Sequence, residues 1–170
     1  ALTVRDVATP PRIAPTRVLL DARGRVPATG PLFDADLAPT LVLTTTAAPP
    51  DAIDAWTHAG AKVEVVAPGA DGTGVDLDAV FALLGGGREG FVQAMIEGGG
   101  TLLGAVLDAG HAQRLVAYVA PILLGERGTP GYRLDGPTTL AAARRFALTS
   151  VRRLGPDVRL DYDLTDRGAV

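Results

Sequence analysis

The chain has 170 residues, of which 47% are hydrophobic and 21% are charged, with a formal net charge of −3, no cysteine and only two histidines. This composition fits one globular domain with a substantial core, and it disfavours disulfides, cysteine nucleophiles, zinc sites and, without an extended basic stripe, nucleic-acid binding. No apolar run is long enough to span a membrane and the first residues lack a signal-peptide pattern, so we expect a cytoplasmic protein with no membrane partner.

The first half of the chain alternates short β-type runs with helical patterns. We predict strands at 18–20, 40–44 and 62–66 and helices at 51–59 and 77–84. Gly60 is placed to end the first helix, and Asp76 is placed to cap the start of the second. Strands that alternate with helices indicate an α/β fold with parallel crossovers.

The most informative segment begins at Ala94 and contains three consecutive glycines, Gly98 to Gly100. We predict a buried strand at 94–96 and, after the glycines, a helix whose apolar residues recur on one face. Glycine lets a ligand approach the backbone closely, and a helix N-terminus offers unpaired N–H groups to an anion. The pattern therefore favours a pyrophosphate site at this turn.

Two features of this turn leave alternatives open. The third glycine of the dinucleotide fingerprint is replaced by Leu103, and no Lys-Ser or Lys-Thr pair follows to form a nucleoside-triphosphate loop. The glycines could equally form a simple connection. Glu97 is placed either as a ligand-contacting acid or as a charge partner of the helix N-terminus.

The last third of the chain ends in a predicted hairpin. A strand at 115–120 is followed by a polar loop at 126–136 and by two alternating runs joined through Gly155-Pro156-Asp157. We therefore predict one domain over residues 1–170, with a three-layer α/β/α fold, a mixed sheet and a C-terminal antiparallel hairpin.

The order of five short motifs resembles the reductase domain of bacterial riboflavin biosynthesis. They are Leu2-Thr-Val-Arg5, Arg17-Val-Leu-Leu-Asp21 with Gly24-Arg25-Val-Pro27, Glu97-Gly-Gly-Gly-Thr-Leu102, Tyr118-Val-Ala-Pro121 with Leu124-Gly125, and Leu154-Gly-Pro-Asp-Val158. The resemblance implies a fold like that of dihydrofolate reductase. It also implies NADPH-dependent reduction of 5-amino-6-(5-phosphoribosylamino)uracil, in which hydride reaches C1′ and the ribosyl group becomes ribityl.

Site residues follow from the resemblance, position by position. Leu2, Arg5 and Glu97 correspond to substrate contacts, and a guanidinium such as that of Arg5 suits a phosphate. The implied cofactor contacts are Ala22, Gly99, Gly100, Thr101, Leu102, Leu103, Gly104 and Ala105. Ala22 stands where the family often has Ser, so only a backbone contact is expected there. No catalytic residue is assigned, and neither His58 nor His111 is given a chemical role.

The resemblance also implies partners and leaves other functions open. Family members commonly dimerise, so we expect a homodimer, and a zinc-dependent deaminase domain often precedes the reductase in bifunctional relatives. Gln113-Arg114 replaces a common Asp-Glu pair, and the family's leading strands, which come before the Leu-Thr-Val-Arg motif, are expected to be missing from this chain. The alternatives are a catalytically silent nucleotide-binding or assembly module, and a related reductase of another heterocycle.

Overall fold

In a computed structural model, the described residues are 4, 7–9, 11–86, 90–133, 136 and 138–164. The chain forms two compact units, residues 1–92 and 93–170. Its described elements are, in chain order, β1 Arg17–Leu20, β2 Thr40–Thr44, α1 Pro50–His58, β3 Lys62–Val65, α2 Leu77–Gly86, α3 Gly100–Ala109, β4 Arg114–Val119, the 3₁₀ turn Leu140–Ala142, β5 Ala147–Leu154 and β6 Asp157–Asp163. None of the described helices is long and apolar enough to cross a membrane.

The first unit is built on a parallel sheet in the order β1-β2-β3. All five residues of the central strand β2 are buried, and its side chains alternate between two apolar clusters. Val42 packs in one cluster with Trp56 of α1, whereas Leu41 and Leu43 pack in the other with α2. Helices therefore cover both faces of this sheet, which confirms the predicted three-layer arrangement.

The ends of both helices in this unit follow the sequence prediction. Gly60 has φ +84°, a left-handed conformation that glycine adopts without steric cost, and it lies just after the C-cap of α1. The Asp76 carboxylate accepts a hydrogen bond from the Ala79 N–H at 3.1 Å, which satisfies one of the unpaired donors at the start of α2. Both predicted end signals are thus confirmed.

The second unit contains an antiparallel sheet in the order β4-β6-β5. The β5–β6 hairpin turns at Gly155, whose φ is +61°, and its register aligns Leu154 with Asp157. The predicted C-terminal antiparallel hairpin is therefore confirmed. With the parallel sheet of the first unit, it also confirms the α/β class with parallel and antiparallel strands.

The buried strand predicted at 94–96 is wrong. No strand is assigned there, and Ala94 and Met95 are exposed. An apolar run becomes a buried strand only where neighbouring strands pair with its backbone, and the register of the described strands includes none of these residues. Residues 94–96 instead lie in a segment without regular secondary structure that leads to the three glycines.

Candidate functional site

The start of α3 is formed by the three glycines that the sequence singled out. Gly99 is the N-cap, with φ −69° and ψ 170°, and no side chain caps the helix. The Leu103 N–H donates to the Gly99 carbonyl at 3.1 Å, while the N–H groups of Gly100, Thr101 and Leu102 donate to no acceptor in the described part of the chain. Three donors and the positive end of the helix dipole are therefore available to an anion here.

Among the three glycines, Gly99 has free space beside its Cα in the described structure. A Cβ added at Gly99 would meet no atom within 4 Å in the described structure. Glu97, two residues before this N-cap, is also exposed. A ligand can therefore approach the backbone at Gly99 directly. The acidic side chain of Glu97 is two residues away in the sequence.

Gly100 and Gly104 have a different environment, because the loop at 130–133 packs closely against this face of α3. An added Cβ at Gly100 would lie 2.6 Å from the Pro130 carbonyl oxygen, and one at Gly104 would overlap the carbonyl of Arg133. The Arg133 N–H also donates to the Gly100 carbonyl at 2.8 Å. These two glycines, one helical turn apart, let the loop reach the helix backbone.

The structure brings the predicted cofactor contacts Gly99 to Ala105 together on the first two turns of one helix. Thr101 and Ala105 are exposed, Leu102 and Leu103 are half-buried, and Gly104 is buried. Their roles as cofactor contacts stay predictions. Leu2 and Arg5, the predicted substrate contacts, lie outside the described residues.

The remaining predicted cofactor contact, Ala22, lies in the loop that follows β1 in the first unit. Asp21 is buried, and its carboxylate accepts hydrogen bonds from the N–H groups of Arg23 at 3.2 Å and Val26 at 2.7 Å. The Trp56 indole N–H donates to the Val26 carbonyl at 2.9 Å. Side chains of the buried core thus fix the path of the loop.

Two threonines at the end of β2 support the same loop. The Thr44 hydroxyl donates to the Asp21 carbonyl at 2.7 Å, and the Thr45 hydroxyl donates to the Ala22 carbonyl at 2.8 Å. Asp21, Thr44 and Thr45 are not among the site residues predicted from the sequence. The available signal was an acid at the end of one strand and hydroxyl residues at the end of the next, since neighbouring parallel strands end at the same edge.

Comparisons with known proteins agree on one family. The model of the RibD C-terminal domain matches residues 1–160. The riboflavin biosynthesis protein RibD of Chlamydia pneumoniae is 32% identical over 151 residues, which are 89% of this chain and 39% of that protein. The 2,5-diamino-6-ribosylamino-4(3H)-pyrimidinone 5′-phosphate reductase of Methanothermobacter thermautotrophicus is 31% identical over 163 residues, which are 95% of this chain and 71% of that protein.

A solved structure supports the same assignment. The chain is similar to RibD of Acinetobacter baumannii, with a TM-score of 0.76 and 27% identity over 95% of this chain and 42% of that one. This chain spans about two fifths of the length of these RibD proteins. The fold expected from the resemblance is therefore confirmed, and the chain belongs to the RibD C-terminal domain family, the reductase domain of riboflavin biosynthesis.

Proposed function

We propose that this chain is an NADPH-dependent reductase that converts the ribosyl group of 5-amino-6-(5-phosphoribosylamino)uracil to ribityl. Hydride from the nicotinamide joins C1′, the bond from C1′ to the ring oxygen breaks, and that oxygen takes a proton to become a hydroxyl. Family membership supports a reductase that uses a nicotinamide cofactor. The choice of NADPH and of this substrate belongs to the proposal.

The observation that carries the proposal is the open start of α3. Within the described residues, its three N–H groups have no acceptor, and no atom lies within 4 Å of a Cβ added at the neighbouring Gly99. A pyrophosphate fits this donor set, because backbone N–H groups at a helix N-terminus favour negatively charged oxygens. We assign the pyrophosphate of the cofactor to the N–H groups of Gly100, Thr101 and Leu102, and a further backbone contact to Ala22.

The protein's part in this reaction is mainly binding and orientation. The bound cofactor supplies the hydride, and the chain must hold the reacting carbon close to it. We assign Arg5 to the substrate phosphate, since a guanidinium binds a phosphate through paired hydrogen bonds. Leu2 is assigned a substrate contact, and Glu97 is assigned to the substrate, where its carboxylate would stabilise positive charge that develops at C1′.

Titration of the protein with NADPH and NADH tests the cofactor assignment. Saturable binding of NADPH is expected, and Gly99→Ala should weaken it about 10-fold or more, because the added methyl group occupies the approach to the three N–H groups. Gly85→Ala is the matched control, since an added Cβ there also meets no atom within 4 Å and the residue lies at the end of α2. Unchanged affinity in Gly99→Ala would contradict the assignment of the pyrophosphate to this helix.

An assay of turnover with 5-amino-6-(5-phosphoribosylamino)uracil, in which the oxidation of NADPH is monitored, tests the activity. Glu97→Gln should lower kcat or raise KM, whereas an enzyme with both constants unchanged would remove Glu97 from the substrate site. Binding of NADPH without any turnover would favour the silent nucleotide-binding module over the enzyme.

The proposal also covers assembly and location. We propose a cytoplasmic homodimer, and a deaminase domain elsewhere in the full-length protein, since the matched segment is 39% of one RibD relative. Light scattering on the purified protein measures its mass directly, and a monomer at working concentration would contradict the dimer.

A further inference from the structure

The connection between β4 and β5 lies against the start of α3, and both belong to the second unit. Its residues 130–133 pack on the helix face formed by Gly100 and Gly104, and the Arg133 N–H donates to the Gly100 carbonyl at 2.8 Å. Tyr132 and Arg133 are exposed. The connection therefore brings exposed polar side chains to the end of the helix where three N–H groups lack an acceptor within the described residues.

Of these two polar residues, Tyr132 lies nearer to the helix start. Its Cα is 3.3 Å from the position of a Cβ added at Gly100, whereas the Arg133 carbonyl lies against Gly104, one helical turn further on. A tyrosine side chain is longer than one helical turn, which rises about 5.4 Å. The Tyr132 hydroxyl can therefore reach an oxygen atom that is bound to the N–H groups of Gly100 and Thr101.

The three tyrosines of the chain differ in what their side chains contact. The Tyr118 ring lies 5.9 Å from the Arg159 guanidinium carbon, and the Tyr162 ring meets Phe146 edge-on with 6.3 Å between centroids. Tyr132 is 58% exposed, and within the described part of the chain it makes no side-chain hydrogen bond or ring contact. Its hydroxyl, a hydrogen-bond donor, is accessible to a ligand.

The backbone that carries Tyr132 is already held in place. The hydrogen bond from Arg133 and the close packing at Gly100 and Gly104 fix the path of the loop along α3. A contact made from a fixed backbone loses little conformational freedom on binding, and a tyrosine side chain has only two χ angles to order. A hydrogen bond from this position therefore adds to the affinity for a ligand at a small entropic cost.

We propose that Tyr132 is a further cofactor-binding residue, whose hydroxyl donates a hydrogen bond to a pyrophosphate oxygen of the nicotinamide cofactor at the start of α3. A hydrogen bond from a hydroxyl to a charged oxygen is about twice as strong as one between neutral groups. The inference rests on the proposed function, which assigns the pyrophosphate to the N–H groups of Gly100, Thr101 and Leu102. It adds a side-chain donor to an anion site that is otherwise formed by the backbone.

Titration of tyrosine variants with NADPH tests this contact. Tyr132→Phe removes only the hydroxyl and should raise the Kd about 5-fold or more, because a hydrogen bond to a charged oxygen is lost. Tyr132→Ala should cause a similar loss. Tyr118→Phe is the matched control, since Tyr118 is 63% exposed and lies over Arg159, and its affinity should be unchanged. A loss in Tyr132→Ala alone, or an equal loss in Tyr118→Phe, would overturn the hydroxyl contact.

NMR of the full chain with labelled tyrosine rings gives a signal that a change in stability does not move. The three rings are assigned through the tyrosine-to-phenylalanine variants. Inorganic pyrophosphate, which lacks the two nucleosides of the cofactor, should shift the Tyr132 ring signals saturably at constant ionic strength and leave those of Tyr118 and Tyr162 in place. A Tyr132 shift with NADPH but none with pyrophosphate would place the ring beside a nucleoside, and the hydroxyl contact would be wrong.

Failure of the Tyr132 contact is distinct from failure of the proposed function. If Gly99→Ala weakens NADPH binding while Tyr132→Phe does not, the pyrophosphate stays assigned to α3 and the contact from Tyr132 is wrong. If Gly99→Ala leaves NADPH binding unchanged and pyrophosphate shifts no amide among residues 100–102, the start of α3 is not the anion site. The inference about Tyr132 then falls together with the assignment on which it rests.

Discussion

The two sheets of this protein differ most in how their apolar side chains are covered. In the parallel sheet, every residue of β2 is buried between two helices. In the antiparallel sheet, Asp161 is the one residue of its described strands that is classed as buried, while Val119, Leu148, Val151 and Leu154 are exposed. The first sheet is thus a conventional core, and the second presents side chains on both of its faces.

This difference in burial indicates which unit supplies most of the stability. Burial of apolar surface is the main favourable term in folding, so the first unit should contribute most of the free energy of unfolding that mutations can remove. The antiparallel sheet instead displays charged groups, among them Arg114, Arg152 and Arg159, around the buried Asp161. The same contrast appears at α3, where the open Gly99 lies beside the closely packed Gly100.

Truncation of one leucine in each sheet gives the largest expected contrast. Leu43 is 0% exposed and Leu148 is 54% exposed. Leu43→Ala should lower the free energy of unfolding by about 2–5 kcal/mol, because it leaves a cavity in a closed core. Leu148→Ala should cost about 0.5 kcal/mol or less. Urea unfolding, followed by far-UV circular dichroism and by the fluorescence of the single tryptophan, measures both; similar losses would abolish the distinction between the sheets.

Two helical glycines give the next contrast. Gly104→Ala in α3 should destabilise the protein by about 1–3 kcal/mol, since the new methyl group overlaps the Arg133 carbonyl. Gly85→Ala in α2 meets no neighbour and should stabilise by up to about 1 kcal/mol through helix propensity. Thermal unfolding of the two variants checks this, and a stabilised Gly104→Ala protein would show that the loop at 130–133 does not pack on α3.

Removing hydrogen bonds of Asp21 tests how much they stabilise the loop that follows β1. Asp21→Asn should cost about 1–2 kcal/mol, because the amide retains one acceptor oxygen for the two N–H groups of Arg23 and Val26. Asp34→Asn is the control, since the Asp34 carboxylate accepts from the Asp36 N–H in an exposed loop. Hydrogen exchange at the Val26 amide should quicken only in Asp21→Asn, and equal exchange in both variants would argue against a supporting role.

The accuracy of the sequence prediction follows the same division between regions. The elements of the first unit could be predicted because local signals and packing agree there: Gly60 and Asp76 end and begin helices where the apolar pattern also changes. The hairpin was predictable for a similar reason, since alternation along β6 coincides with a turn at Gly155. Where local pattern and tertiary structure agree, a single sequence carries enough information.

The failures concern features that depend on residues distant in the chain. The run at 94–96 has the composition of a buried strand, but strand formation requires pairing partners that composition does not reveal. Arg17 lies in β1 among apolar residues and is buried, because its guanidinium donates to the carbonyls of Pro31, Asp34 and Ala38. The grouping of Arg114, Arg152 and Arg159 around Asp161 was equally hidden, since these residues come from three strands.

The smallest expected effect is on the pH dependence of stability. It tests the Asp161 carboxylate in the antiparallel sheet. Hydrogen bonding from Arg159 lowers the pKa of Asp161 below its ordinary value of 3.8, so the folded state binds this proton less tightly than the unfolded state. The resulting stabilisation is present above the ordinary value and is lost as the pH falls through the lowered pKa. Asp161→Asn should therefore reduce stability at neutral pH.

The difference between wild type and Asp161→Asn should then shrink as the pH falls below 3.8, because the wild-type carboxyl becomes protonated and neutral like the amide. Urea unfolding at a series of pH values between about 6 and about 2 measures this convergence. Asp157→Asn is the control, because it removes a carboxylate from the same strand and leaves the hydrogen bonds from Arg159 to Asp161 in place. Parallel profiles for wild type and Asp161→Asn would mean that Arg159 does not hold this carboxylate in solution, and the hydrogen bonds between the two side chains would have to be revised.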